Sequence, residues 1–251
     1  MKVGRLLAAR LARRAPVTVP ISIRTFWGDR LYGRLPDAVS ELLWRDEIYE
    51  PGLTAMLMSQ IRPGQVFFDV GAHLGYFSVL AAHLGAAVHA FEPTPRTFQL
   101  LKRNAANRAI APINAAAWAE PMTLHLADFG PRFSGHNSVA SPRGHLRAVK
   151  TYEVAAVSLD HYAATHDAWP DVIKLDAEGA ESRILDGMTE VLQRRPAISL
   201  EVGDDNGVSR ALVERLITMG YRAFEYRDEQ IAPHFPRVDY SYDNLLFTVA
   251  P

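Results

Sequence analysis

Four apolar runs in this chain finish at or beside a carboxylate: the runs at 66–70, 87–91, 171–176 and 197–202, with Asp69, Glu92, Asp176 and Glu201. After the first run, Gly71 and Gly75 bracket Ala72, His73 and Leu74. Carboxylates placed this way can accept hydrogen bonds from the hydroxyls of a ribose. They can also take a proton from a hydroxyl as it becomes a nucleophile, or hold a hard divalent cation. A glycine-bounded turn into an amphipathic segment brings backbone amides against a ligand. Residue types and spacing together describe a nucleoside-binding crevice.

The elements that must position these groups alternate. Strands at 66–70, 87–91, 113–118, 171–176 and 197–202 are interleaved with helices at about 75–84, 95–106, 180–194 and 208–219. Further strands are expected at 122–127 and 154–157, with a small helix at about 158–166. Such alternation predicts an α/β, doubly wound, mostly parallel Rossmann-like sheet. Its ligands bind outside the carboxyl ends of the strands, near the topological switch point. Strand-like segments at 221–226 and 244–249 predict a C-terminal antiparallel hairpin. Residues 128–150, rich in Gly, Pro, Ser and His, read as a long loop covering the site. Residues 15–60 look like an appendage, with short strands between 17 and 35 and helices at 40–49 and 53–61. The expected division is an N-terminal extension, 1–60, and a nucleoside-binding domain, 61–251.

Composition narrows the function classes. The chain has 251 residues, enough for one α/β domain with an extension. A formal net charge of −1 argues against nucleic acid as a partner. With no cysteine, disulfides, thiolate metal sites and cysteine nucleophiles are excluded. No run approaches the roughly 20 apolar residues of a membrane span, and a cytoplasmic location is expected. Residues 1–14 carry Lys2, Arg5, Arg10, Arg13 and Arg14 among leucines and alanines. This is either a solvated terminal helix or a peripheral contact with an anionic membrane.

The glycine loop discriminates between nucleosides. A dinucleotide loop keeps a middle glycine clear for a pyrophosphate, whereas here Ala72 and His73 occupy that position. Asp69 at the strand end repels a phosphate and favours a cationic ligand. S-adenosylmethionine (SAM), with its sulfonium and amino group, suits this loop better than NAD. Asp69 would act directly or by holding the loop amides.

The runs VFFDVGAHLGYFS at 66–78, VHAFEP at 88–93 and VIKLDAEGAESRILDGM at 172–188 resemble the FkbM-type family of SAM-dependent (class I) methyltransferases. IYEPGL at 48–53 and NLLF at 244–247 fit the same family, so the resemblance spans roughly residues 45–249. Its most specific part is the block from Asp176 to Glu181. One departure is His73, where the family commonly has Asn. The resemblance implies methylation of a hydroxyl on a sugar or small natural product.

On this reading Gly71, Ala72, His73 and Gly75 approach the methionine part of SAM, with the His73 imidazole meeting its carboxylate end. Glu92 holds the ribose or caps the following helix, and Pro93 and Thr94 shape its loop. Tyr76 reaches toward the cofactor. Trp118 lies near adenine or in the core. Asp176 is the first candidate for general base, with Glu178 second and His136 an alternative. Asp176 would otherwise orient the loop or the cofactor amine, and Glu178 would cap the next helix. Asn137 and Ser138 would bind substrate oxygens. Lys174 is a candidate charge partner, and Glu201 can join Asp176 around Mg²⁺. Rival readings are an NAD-dependent oxidoreductase, which wants an open three-glycine loop and a Tyr–Lys relay, and a non-catalytic nucleoside-binding protein.

Overall fold

The computed structural model describes residues 18–140, 147–203 and 207–249. The basic segment 1–14 lies outside them. An antiparallel pair, β1 (Val19–Arg24) and β2 (Arg30–Leu35), is followed by helices α1 (Ala38–Asp46) and α2 (Pro51–Gln60). Asp37 caps α1, its Oδ1 accepting from the Ser40 amide at 2.7 Å.

The alternating region then supplies β3 (Val66–Val70), α3 (Tyr76–His83), β4 (Ala87–Phe91), α4 (Pro95–Ala105) and β5 (Ile110–Ile113). Next come β6 (Ala116–Ala117), β7 (Met122–Asp128), a 3₁₀ turn at Pro131–His136, β8 (Lys150–Val157) and α5 (Leu159–His166). The C-terminal half holds β9 (Val172–Leu175), α6 (Glu181–Asp186), α7 (Thr189–Gln193), β10 (Ala197–Val202) and α8 (Val208–Thr218). It closes with β11 (Arg222–Arg227), β12 (Gln230–Pro233) and β13 (Asp243–Thr248).

The central sheet runs β12-β11-β13-β10-β9-β3-β4-β5. From β10 through β5 every pairing is parallel, and β13, β11 and β12 add antiparallel pairings. The chain order reverses between β3 and β9, so the loops after these strands diverge and leave a crevice. The result is an α/β, doubly wound, mostly parallel sheet, as the alternation predicts. Strand β3 is buried on both faces: Phe67 packs with Leu53, Leu57 and Val79, Phe68 with Phe91, Tyr162 and Ile173. Period-two alternation therefore feeds a separate apolar layer on each side of the sheet. The layer containing Phe67 includes Ile23, Leu31 and Leu43, so β1, β2 and α1 share that core.

Several boundaries differ from expectation. The third parallel strand is Ile110–Ile113 rather than 113–118. Asn114 donates to the carbonyls of Glu92 and Pro93, turning the chain out of the sheet. Ala116–Ala117 instead enters a second sheet, ordered β6-β8-β7, whose strand β8 extends well beyond the expected 154–157. The helix expected over 180–194 is two helices. At Gly187 a Cβ would stand 2.2 Å from the Trp118 carbonyl, so the chain must bend around that backbone. Asp160 recaps the second piece by accepting from the amides of Glu190 and Val191. The expected closing pair forms as β11 against β13, with β12 added on the outer edge through a tight turn at Asp228–Glu229. Both turn residues have positive φ (50° and 61°), the geometry of a two-residue hairpin loop. Among the described residues no helix is long and apolar enough to cross a membrane.

Candidate active site

The crevice at the switch point opens into a cavity walled by the loops after β3, β4 and β9, by Ala115–Ala117, and by Ser134, Gly135 and Asn137 of the covering segment. Tyr49 and Tyr242 close it from the two ends of the chain.

The first loop is held by backbone. The amides of Gly71 and Ala72 both donate to the Phe91 carbonyl, at 3.0 and 2.9 Å. Gly71 has φ +74°, and a Cβ there would lie 1.7 Å from the Asp176 carbonyl oxygen. Glycine is thus demanded by the close approach of the β3 and β9 loops as well as by the left-handed turn. Gly75, also left-handed, starts α3.

Glu92, buried in the cavity wall, joins two loops. Its Oε2 accepts from the His73 amide at 3.0 Å and its Oε1 from the Thr94 amide at 2.8 Å. Burial pushes its carboxyl above the ordinary carboxylate range, and His73 and the two amides pull back against that shift. Pro93 lines the wall beside it. His73 takes a left-handed conformation (φ 51°), and its Nε2 lies 2.8 Å from Ser134 Oγ. Tyr76 lines the cavity with its hydroxyl 3.3 Å from Thr54 Oγ1.

Lys174 is only 1% exposed and organises the switch point. Its Nζ lies 3.3 Å from Asp69, 3.2 Å from Asp176 and 3.1 Å from the Gly71 carbonyl. Burial alone would lower its pKa, but Asp176, Asp69 and Glu50 outweigh it and hold the ammonium above its usual range. Asp69 is fully buried, accepts from Ser78 Oγ at 2.6 Å, and lies beneath the loop rather than in the cavity wall. Of the two roles expected for Asp69, this position suits support of the loop, through Lys174 and its contact with the Gly71 carbonyl.

Beyond Lys174 the wall is acidic. Asp176, Glu178 and Glu201 each present an oxygen within 4.8 Å of the others. Glu50 adds a fourth carboxylate, accepting from the Tyr242 hydroxyl at 2.9 Å. Burial, then Asp176, raises the Glu50 carboxyl. Burial, then Glu201 and Asp176, pushes the Tyr242 phenol well up. The phenol of Tyr49 rises chiefly through burial. Glu50 sits at φ 41° immediately before Pro51, a strained backbone at the mouth of the site.

The structure gathers Asp176, Glu178, Glu92, His73, Ala72, Gly71, Tyr76 and Pro93 around one cavity, and places others apart. Trp118 packs between the two sheets' cores, and Ala115–Ala117 line the wall in its stead, because the third strand ends at Ile113. His136 has a side chain 56% exposed, with Nδ1 3.6 Å from Glu178, and stands outside the wall. The Ser138 hydroxyl donates to the Glu178 carbonyl at 2.8 Å, and the Asn137 amide to Thr94 Oγ1. Both thereby hold loops together. No side chain caps α6; its first residue, Glu181, instead folds back so that its Oε1 accepts from the amides of Ala177 and Gly179 and closes the preceding turn. Glu50, Tyr49, Tyr242 and Ser134 were not legible as site residues. Only Glu50 carried a signal, an acid ahead of a helix-starting proline.

Comparison with known proteins agrees with this arrangement. Residues 69–227 match the family model described as the Methyltransferase FkbM domain. The 31-O-demethyl-FK506 methyltransferase FkbM of Streptomyces tacrolimicus is 28% identical, across 69% of this chain and 78% of that protein. The hexuronic acid methyltransferase AglP of Haloferax volcanii is 26% identical, across 69% and 73%. Among solved structures, precorrin-6y C5,15-methyltransferase of Geobacter metallireducens superposes with a TM-score of 0.44 at 14% identity, covering 79% of this chain and 87% of that one. The family match runs from Asp69 through β11, more than half of the chain, and this chain belongs to the FkbM methyltransferase family.

Proposed function

We propose that the protein transfers a methyl group from SAM to a hydroxyl of a carbohydrate or small natural product. The observation that carries this reading is the sign of the cavity. Glu92 lines the cavity at the loop after β4, where it would hold a ribose, and Asp176 and Glu178 line the side where a reacting methyl would face an acceptor, with the buried Glu201 clustered behind them and Glu50 in the adjoining groove. A sulfonium and an ammonium are attracted by such a wall, and a pyrophosphate is repelled. The names of the two relatives, one with 31-O-demethyl-FK506 and one with a hexuronic acid, support an acceptor of this class.

SAM, when bound, supplies a methyl group on a positively charged sulfur. The residues of the chain do the remainder. Glu92 accepts the ribose hydroxyls while keeping the His73 and Thr94 amides. The Gly71 loop, pinned by Lys174, holds the methionine part. Tyr242 and Glu50 would flank the entry of an acceptor hydroxyl, and Asp176 would take that hydroxyl's proton as its oxygen accepts the methyl group that SAM would supply. Alignment and proton removal are the two contributions a site of this kind makes.

The Asp176, Glu178 and Glu201 oxygens also match the donor chemistry of Mg²⁺. That cation would offset the charge that Lys174 leaves unbalanced. Loss of turnover in chelator with recovery in magnesium supports the cation, and turnover indifferent to chelator assigns charge balance to Lys174.

Calorimetric titration with SAM, S-adenosylhomocysteine and NAD⁺ tests the whole reading. Saturable binding of the first two is expected, and binding of NAD⁺ without SAM overturns it.

A further inference from the structure

Three elements converge on His73. Its Nε2 lies 2.8 Å from Ser134 Oγ in the covering segment. That hydroxyl in turn makes a short hydrogen bond to Asp37 Oδ2 at the start of α1. Asp37 uses its other oxygen on the Ser40 amide, so the carboxylate accepts at both ends. Ser134 and Asp37 are both buried.

The direction of each bond follows from counting hydrogens. A carboxylate only accepts, so the single Ser134 hydroxyl hydrogen points to Asp37. Ser134 Oγ then has only lone pairs to offer, and His73 must donate from Nε2. In the neutral ring this leaves Nδ1 as a bare acceptor. Among the described residues Nδ1 is buried and has no hydrogen-bond partner. His73 nevertheless lines the cavity. A buried acceptor without a donor is rare in a completed site, which points to a donor arriving with a ligand.

We infer that the Asp37–Ser134–His73 chain fixes the imidazole as its Nε2–H tautomer, so that Nδ1 accepts from the α-ammonium of the bound SAM. This deepens the SAM reading and rests on it. It reverses the sequence-based expectation that the imidazole meets the cofactor's carboxylate, since a ring in this tautomer has no hydrogen to give at Nδ1. It also gives the covering segment and α1 a part in cofactor selection. Asp37 and Ser134 are positioning residues that act through His73.

Two measurements test the inference. The first is imidazole ¹⁵N NMR of the ligand-free protein, with the His73 signals identified by their absence in His73→Asn. A protonated Nε2 and an unprotonated Nδ1 are expected in the wild type, and a mixture of tautomers in Ser134→Ala. A wild-type ring protonated at Nδ1 overturns the inference. The second is calorimetry with S-adenosylhomocysteine, its deaminated analogue and its decarboxylated analogue. In the wild type, loss of the amino group is expected to weaken binding about tenfold or more, the range of a hydrogen bond to a charged group. That factor should shrink severalfold in Ser134→Ala and further in His73→Ala, while the factor for the carboxylate stays constant. An amino-group factor unchanged in Ser134→Ala, or affinities for all three ligands falling in parallel, overturns the inference. If wild-type protein binds none of the three, the SAM reading itself fails, and the NMR experiment still reports on the hydrogen-bond chain.

Discussion

The ammonium of Lys174 lies 3.3 Å from the carboxylate of Asp69, and neither group is open to water. The pair crosses from β9 to β3, the two strands between which the sheet order reverses. Because Lys174 also reaches Asp176 and the Gly71 carbonyl, one side chain ties the glycine loop to the candidate base.

Replacing Lys174 should therefore damage the fold before it damages chemistry. Lys174→Met leaves Asp69 as an uncompensated buried charge, and a cost of about 3–5 kcal/mol is expected. Urea denaturation of the two proteins measures it. The folded-state pKa of Lys174 is raised, so its stabilising contribution is complete below the ordinary lysine value of about 10.4 and is lost as pH rises through the folded value. The stability gap should be flat from neutral pH to about 10 and narrow above it.

Glu92 holds two loop amides and, on the proposed reading, would also hold the ribose, and Glu92→Ala should reveal both. The His73 and Thr94 amides lose their acceptor, at a cost of about 1–3 kcal/mol for each amide left buried. SAM affinity should fall about tenfold or more, as read by calorimetry. A stability loss with unchanged affinity would leave Glu92 as a loop-holding residue alone.

Asp176→Asn keeps the side chain's size and leaves Lys174 paired with Asp69, so SAM binding is expected to persist. Turnover should fall about 10²- to 10⁴-fold if Asp176 takes the hydroxyl proton. Release of S-adenosylhomocysteine in the presence of carbohydrate acceptors of the proposed class provides the readout. Wild-type turnover in this variant would move the base to another carboxylate of the wall, with Glu178 the next to substitute.

Glu50 offers a pH-dependent signature. Its folded-state pKa is raised by burial and by Asp176, so the native chain binds more protons here than the unfolded chain. Stability conferred by this group is present below the ordinary glutamate value of about 4.3 and declines as pH rises from there through the folded value. Glu50→Gln retains an acceptor for Tyr242 and has no charge to bury. The variant should be more stable than wild type at pH 8, with the gain disappearing toward pH 4. Thermal unfolding across that range checks it, and a pH-independent difference would show that Glu50 is not strained by its charge.

The alternation of apolar runs with amphipathic segments was enough to order the parallel sheet, because each run of the 66–70 kind is buried on both faces and has no polar side to confuse it. The same logic placed Asp69, Glu92, Asp176 and Glu201 at strand ends. The strand expected over 113–118 and the helix expected over 180–194 went astray for a shared reason. Asn114 turns one chain segment out of the sheet and Gly187 yields to that segment's backbone, and both are contacts between residues distant in sequence.

Local pattern thus determined the fold class, the family and the identity of most wall residues, since these follow from residue type and short-range spacing. Only the tertiary structure decided what each carboxylate faces. Asp69 went beneath the loop because Lys174 arrived from β9 to neutralise it. Tyr49 and Tyr242 joined the wall from opposite ends of the chain, with Glu50 bonded to Tyr242 beside it, and Ser134 and Asp37 met on His73. Such contacts depend on how three-dimensional packing closes around buried charge, and no spacing along one chain encodes them.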